Sequence, residues 1–180
     1  IGPSLPFEAP ERLVYIRQHE RACVECDRMT SGNYVTIRDE AHTLKSVSLA
    51  GHWPYIHRGV ERSELLTGAR VSSEFFRTLG IPPLLGRTLA PADSEASRNR
   101  VVVLNEETWR SRFLADPKVL GQEMILDGAP YVIVGVVAVA HGYPDRTDLW
   151  TPLSMDAQRT ADRRLTDYFA VGRLSDGISF

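Results

Sequence analysis

The sequence is poor in the residues that do chemistry. Two cysteines and five histidines are spread over 180 positions. No G-x-x-x-x-G-K-[ST] run is present, which excludes a P-loop and nucleotide binding of that kind. The absence of G-x-S-x-G removes the nucleophile elbow. His19 opens HERAC as a zinc-protease helix would, but the second histidine of H-E-x-x-H is missing. No glycine-rich dinucleotide loop follows a strand-like segment. Excess positive charge is lacking too. The net charge is −2, and Arg and Lys are interleaved with Asp and Glu, so nucleic acid is not expected as a partner. The longest apolar run, YVIVGVVAVA at residues 131–140, is half of the roughly 20 residues a spanning helix needs. Its β-branched content reads as a buried strand. Together these absences point to a non-enzyme without a cofactor.

What remains is an ordinary folded chain. Hydrophobic residues make up 43% and charged residues 24%, a globular composition long enough for one domain or two small lobes. The best-formed piece is GQEMILDGAPYVIVGVV. Gln122–Leu126 reads as a strand, Asp127-Gly128 as a tight turn and Tyr131–Val137 as the return strand. Upstream, ERLVYIRQ alternates as a strand. Tyr34, Ile37, Ala41 and Leu44 follow at helical spacing, with Thr30 or Ser31 as cap. VSLAGHWPYIHRGV and SELLTGARVS read as two strands around a turn, and SSEFFRTLG as a short helix capped by Ser72 or Ser73 and stopped by Gly80.

Pro82-Pro83 and the Pro/Ser/Asp-rich run 91–99 mark a passage between lobes. VVVL then reads as a buried strand, NEETWRSRFLAD as a helix capped by Asn105, TDLWTPL as a strand, SMDAQRTADRRL as a polar helix and DYFAVGRL as a strand returning to the first lobe. The chain starts with Ile1 and stops just after a strand-like segment, so a longer parent is expected.

Three sets of side chains are candidates for a site. Cys23 and Cys26 form a C-x-x-C pair, compatible with a redox couple, half of a zinc site, a short disulfide or idle thiols. Their charged, turn-like surroundings and the lack of a helix after them favour the last two. Zinc would have to recruit His19 and His42. The second set is His52, Trp53, Tyr55 and His57 in GHWPYIHRG. On one strand Trp53, Tyr55 and His57 share a face and could line a pocket; ordinary burial preferences put the aromatics inside and the histidines at the solvent edge. Asp145, Asp148 and Asp156 form the third set, loop carboxylates of the kind that are usually solvated.

The order of the pieces says more than any of these. PERLVYI, TGARVSSEFFRTLGIPPLLGRTLAPAD, VVVLNEETWRSRFLADPKVLGQEMILDGAPYVIVGVV, DLWTPL and FAVGRLSDGIS follow one another over nearly the whole chain. In this order they resemble the periplasmic core domain of MacB-type ABC-transporter permeases, and within that family the branch of large duplicated permeases. The resemblance implies an α+β fold of two lobes: a mixed α/β porter-like lobe, residues 1–71 with 164–180, and an inserted, mostly β lobe, residues 72–163, with one or two helices.

It also implies an extracytoplasmic, non-catalytic domain of an inner-membrane protein that couples cytoplasmic ATP-driven motion to export or release of a substrate. Its implied partners are a cytoplasmic ATPase reached through the parent's membrane helices, a second permease half or subunit, and a periplasmic adaptor. Gly80, Pro82 and Pro83, with residues 153–155, become hinge candidates. In an oxidising periplasm a Cys23–Cys26 disulfide is the expected state, although the pair is foreign to the family pattern. The pattern normally continues past GRLSDGIS into a helix that packs on the first lobe. The competing reading is a periplasmic ligand- or peptide-binding or scaffold module, which requires an apolar pocket with convergent polar groups.

Overall fold

The hairpin is where sequence and local geometry agree most directly. In the computed structural model, which describes residues 7–17, 29–59, 62–139, 142–144, 146–154 and 168–178, Asp127 and Gly128 have φ of 50° and 78°. Two consecutive positive φ values make the turn whose twist matches the flanking strands. Those strands, Glu123–Leu126 and Ala129–Val137, are the eighth and ninth in chain order, β8 and β9.

Before them come β1 (Leu13–Ile16), α1 (Ser31–Glu40), β2 (Leu44–His52), β3 (Tyr55–Arg58), β4 (Ser63–Leu66), β5 (Gly68–Val71), α2 (Phe75–Leu79), β6 (Pro83–Gly86), β7 (Val101–Asn105) and α3 (Glu106–Phe113). After them come β10 (Leu149–Pro152) and β11 (Phe169–Leu174). The fold is α+β, with one mixed sheet of 11 strands and three α-helices among the described residues. None of those helices is long and apolar enough to cross a membrane.

Five local readings are corrected by the structure. The first helix ends at Glu40 instead of running on to Leu44. Asp39 and Glu40 place negative charge at the negative end of the helix dipole, and Leu44 is needed in β2 opposite Leu174. Thr30 does cap α1, its Oγ1 accepting from Asn33 N at 3.1 Å. The two long strands are four, because Trp53-Pro54 breaks β2 from β3 and Thr67 separates β4 from β5.

Ser72 does not cap α2. Its Oγ accepts from Leu49 N at 3.1 Å, tying the helix start to β2. Asn105 stands at the start of α3 but turns its amide away, Nδ2 donating to Val139 O and Thr147 O at 3.3 and 3.2 Å. Pro83, expected in a loop, opens β6; among the described residues β6 pairs with β9 alone, an edge position where a missing N–H is tolerated. The expected polar helix 154–165 lies almost wholly outside the described residues.

The strand order is β1-β11-β2-β5-β10-β7-β9-β8-β3-β4, with β6 also on β9. Long β9 carries β7 in parallel along one edge and β8 and β6 on the other. β10 lies between β5, which it meets in parallel, and β7, which runs antiparallel to it. The hairpin β3–β4, assigned to the first lobe by sequence order, sits at the far end of the sheet beside β8. Asp127 fixes it there: its Oδ1 accepts from Ile56 N, and its own N–H donates to Ile56 O, both at 2.9 Å.

Three clusters make the core. Beneath α2, Phe7, Phe75, Phe76, Val103, Val137 and Trp150 pack together. On the opposite face Tyr55, Leu66, Leu104, Leu126, Ile133 and Leu149 are covered by Trp109 and Phe113 of α3. The third lies under α1, where Met29 and Tyr34 meet Val47, Leu49, Leu153 and Ala170. The consecutive residues Leu149 and Trp150 thus point into different clusters, as strand alternation requires.

Burial has a measurable consequence. It pushes the Tyr34 and Tyr143 hydroxyls up to about 12, because the charged phenolate is the form that loses water. Between the unfolded value near 10 and about 12 the folded chain holds more protons than the unfolded one, so stability falls as pH rises through that window. Absorbance titration of the phenolates should show these two tyrosines ionising last, together with loss of far-ultraviolet ellipticity. Ionisation of all six tyrosines as one set near pH 10, with the fold intact, would contradict this packing.

Candidate functional site

Trp53-Pro54 ends one strand and starts another, and the break places two aromatic rings on either side of an arginine. Trp53 N donates to Gly68 O at 2.8 Å, drawing the break against the start of β5. Only glycine fits at 68, since an added Cβ would lie 2.6 Å from both Trp53 O and the Tyr55 ring. Tyr55 is therefore buried flat against β5. Its Oη lies 2.7 Å from Thr151 Oγ1 and accepts from Arg70 Nε at 3.2 Å. The Arg70 guanidinium stacks 3.7 Å from the centroid of Trp53, a cation–π contact that fixes its plane. Tyr131 meets Tyr55 edge-on at 6.1 Å.

The result is an open cleft of about 250 Å³ lined by Arg70, Asn99, Tyr131, Thr151, Leu153 and Ser154. It lies where β5 meets β10. A pre-oriented guanidinium beside hydroxyl and amide groups can hold a polar or anionic group. The cleft holds no nucleophile paired with a base, and its lining is too polar for the closed apolar pocket of a ligand-binding module.

Of the sequence candidates, Trp53 and Tyr55 join this cluster through Arg70. His52 is exposed and lies 6.1 Å from the Phe169 ring; His57 places Nδ1 3.1 Å from Ile125 O. Neither histidine reaches the cleft lining. Asp148 serves the backbone, Oδ2 accepting from Thr67 N at 2.9 Å and Oδ1 from Thr108 Oγ1 at 3.4 Å. Cys23, Cys26, His19, Asp145, Met155 and Asp156 lie outside the described residues. Among the described residues no three His, Cys, Asp or Glu side chains could share a metal ion. Arg70 and Thr151 were missed by sequence reasoning. The one available signal was a cation inside the short apolar strand GARV.

The passage 80–83 is held at both ends. Gly80 closes α2 in the left-handed region at φ 70°, its N–H meeting Arg77 O and Phe76 O, and Ile81 N donates to Phe76 O at 2.8 Å. Pro83 is in register with Val137, so only Ile81 and Pro82 lie between the two anchors. An added Cβ on Gly80 would come within 2.6 Å of Glu8 Cβ.

The chain belongs to the MacB-like periplasmic core domain family, whose model matches residues 4–180. It is 29% identical over 124 residues to the macrolide export ATP-binding/permease protein MacB of Burkholderia thailandensis, covering 67% of this chain and 18% of that protein. It therefore spans less than a fifth of the curated relatives it matches.

Among solved structures it resembles a domain of a putative permease protein from Porphyromonas gingivalis (TM-score 0.72, 18% identity, 96% of this chain and 79% of that one). It also resembles the periplasmic region of MacB from Actinobacillus actinomycetemcomitans (TM-score 0.68, 20% identity, 93% and 76%). At these identities the structural likenesses speak for the fold.

Two substitutions check the local geometry. Tyr55→Phe removes the oxygen that Thr151 and Arg70 share and should cost about 1–3 kcal/mol, read as a lower urea midpoint with an unchanged slope. Gly80→Ala should also destabilise, by about 1–3 kcal/mol, through a strained left-handed alanine pressed on Glu8. A midpoint unchanged by either would refute the corresponding contact.

Proposed function

We propose that this chain is the extracytoplasmic module of an ABC-type permease, which passes ATP-driven motion of its parent to the export or release of a substrate and does no chemistry itself. The observation that carries this reading is the family match over residues 4–180, together with a fold like that of permease domains. The ATPase then acts on the cytoplasmic side, as a domain or a separate subunit reached through membrane helices of the parent. A second permease half or subunit and a periplasmic adaptor are the implied contacts outside the membrane.

The continuous sheet suits such work. In this reading residues 1–71 with 164–180 and residues 72–163 are two lobes spliced by the β5–β10 ladder, in which Asp148 N donates to Thr67 O at 2.7 Å and Leu153 N to Val71 O at 2.8 Å. Force applied to one lobe is carried by backbone hydrogen bonds into the other. The chain crosses between the lobes at residues 71–72, and Gly80, Pro82 and Pro83, a few residues on, are the hinge where a change of angle is absorbed.

The coding sequence on either side of this chain provides the test. A run of roughly 20 apolar residues shortly before Ile1, and another some tens of residues beyond Phe180, are expected. A cleavable signal peptide with no spanning segment on either side would overturn the reading.

A further inference from the structure

At the end of the first-lobe sheet away from the Arg70 cleft, four cations come together on a chain of net negative charge. Arg12 ends the opening 3-10 turn, Lys45 and Ser46 stand on β2, Arg77 on α2 and Arg173 on β11; with Glu8 they line a pocket of about 300 Å³. That volume is at the small end of the range for small-ligand sites.

Arg173 is the telling member. It is only 8% exposed, and its guanidinium donates to two carbonyls, Thr78 O at 2.7 Å and Glu8 O at 2.8 Å, with no carboxylate in an ion pair among the described residues. A buried cation held by carbonyl dipoles alone keeps most of its desolvation cost. Arg77 is exposed and has no acceptor among the described residues. Arg12 pairs with Asp176 at 2.6 Å, and Lys45 reaches the same carboxylate only at 3.9 Å. Among the described residues, four cations against Glu8 and Asp176 leave two positive charges uncompensated.

We propose that this pocket binds a phosphomonoester group. A phosphate monoester carries about −1.5 to −2 at neutral pH and three strong acceptor oxygens, which matches the uncompensated charge. Donors approach from separate elements, α2, β2 and β11, as a tetrahedral group requires and a planar carboxylate does not. Ser46 Oγ accepts from Thr78 Oγ1 at 3.0 Å, leaving its own proton free to donate. Gly80 keeps the wall open, since an added Cβ there would sit 3.3 Å from Arg173 Nη2. The proposal does not depend on the transport reading; a soluble scaffold with this pocket would bind the same group.

The test is a nitrogen–proton NMR titration of the 180-residue chain with inorganic phosphate, against sodium chloride at matched ionic strength. Saturable shifts are expected at the amides of residues 8–12, 45–46 and 77–80 and at the arginine side-chain N–H groups. Arg77→Ala should weaken binding about tenfold with the rest of the spectrum unchanged, while Arg98→Ala, in a distant loop, should leave it unaltered.

Glycerol 3-phosphate and phosphatidic acid vesicles then separate the sources. Saturation by the first marks a soluble ligand; co-sedimentation with the second that Arg77→Ala abolishes marks a lipid headgroup. Chloride reproducing the shifts, Arg77→Ala and Lys45→Ala binding as the parent does, or an oligoglutamate peptide binding where phosphate does not, would each overturn the proposal.

Discussion

The structure depends on one strand being accepted on both sides. Every residue of β10 is buried, and it joins β5 in parallel to β7 in antiparallel sense. Leu149 points into the cluster under α3, Trp150 into the cluster under α2, and Leu153, one residue past the strand, into the cluster under α1. Without β10 the hydrogen-bonded sheet separates into two pieces, and the clusters under α2 and α3 each lose a member. Thr151 on the same strand supplies the oxygen beside Tyr55, so the polar cleft has its origin in the same splice.

Much of this was legible beforehand, and the reasons are local. Asp127-Gly128 announces its turn because few residue pairs accept two positive φ values. Gly80 announces the end of α2, and Thr30 the start of α1, because a helix end leaves backbone groups that only certain neighbours can satisfy. The α+β class follows from these pieces and from the order in which they resemble a known family. Where sequence reading failed, a distant partner had decided the matter. Ser72 is spent on Leu49 of β2, Asn105 on Val139 and Thr147, and Leu44 on the ladder with β11. No window of a dozen residues contains those partners.

The site shows the same division more sharply. Trp53 and Tyr55 were visible as an aromatic cluster, but what gives them a role is Arg70, fifteen residues past Tyr55, and Thr151, on a strand that reaches β5 only through the sheet. The basic pocket was wholly illegible. Its four cations lie far apart in a chain whose overall charge is slightly negative, and composition averages them away. Aromatic residues advertise themselves by clustering in sequence; charges brought together by topology do not.

The pairing of β1 with β11 bears on how the chain is made. Leu13 is in register with Arg173 and Ile16 with Ala170, so β1 waits for a strand made more than 150 residues later. Until then β1 has no neighbour, β2 lacks its β11 partner, and the apolar residues under α1 stay half covered. Contacts of such long sequence separation are slow to form and leave unpaired edges exposed in the interval. A chain released from the ribosome before residue 174 would carry an unfinished sheet edge in place of its outer two strands. The sheet is therefore completed by β11 rather than by any segment before it.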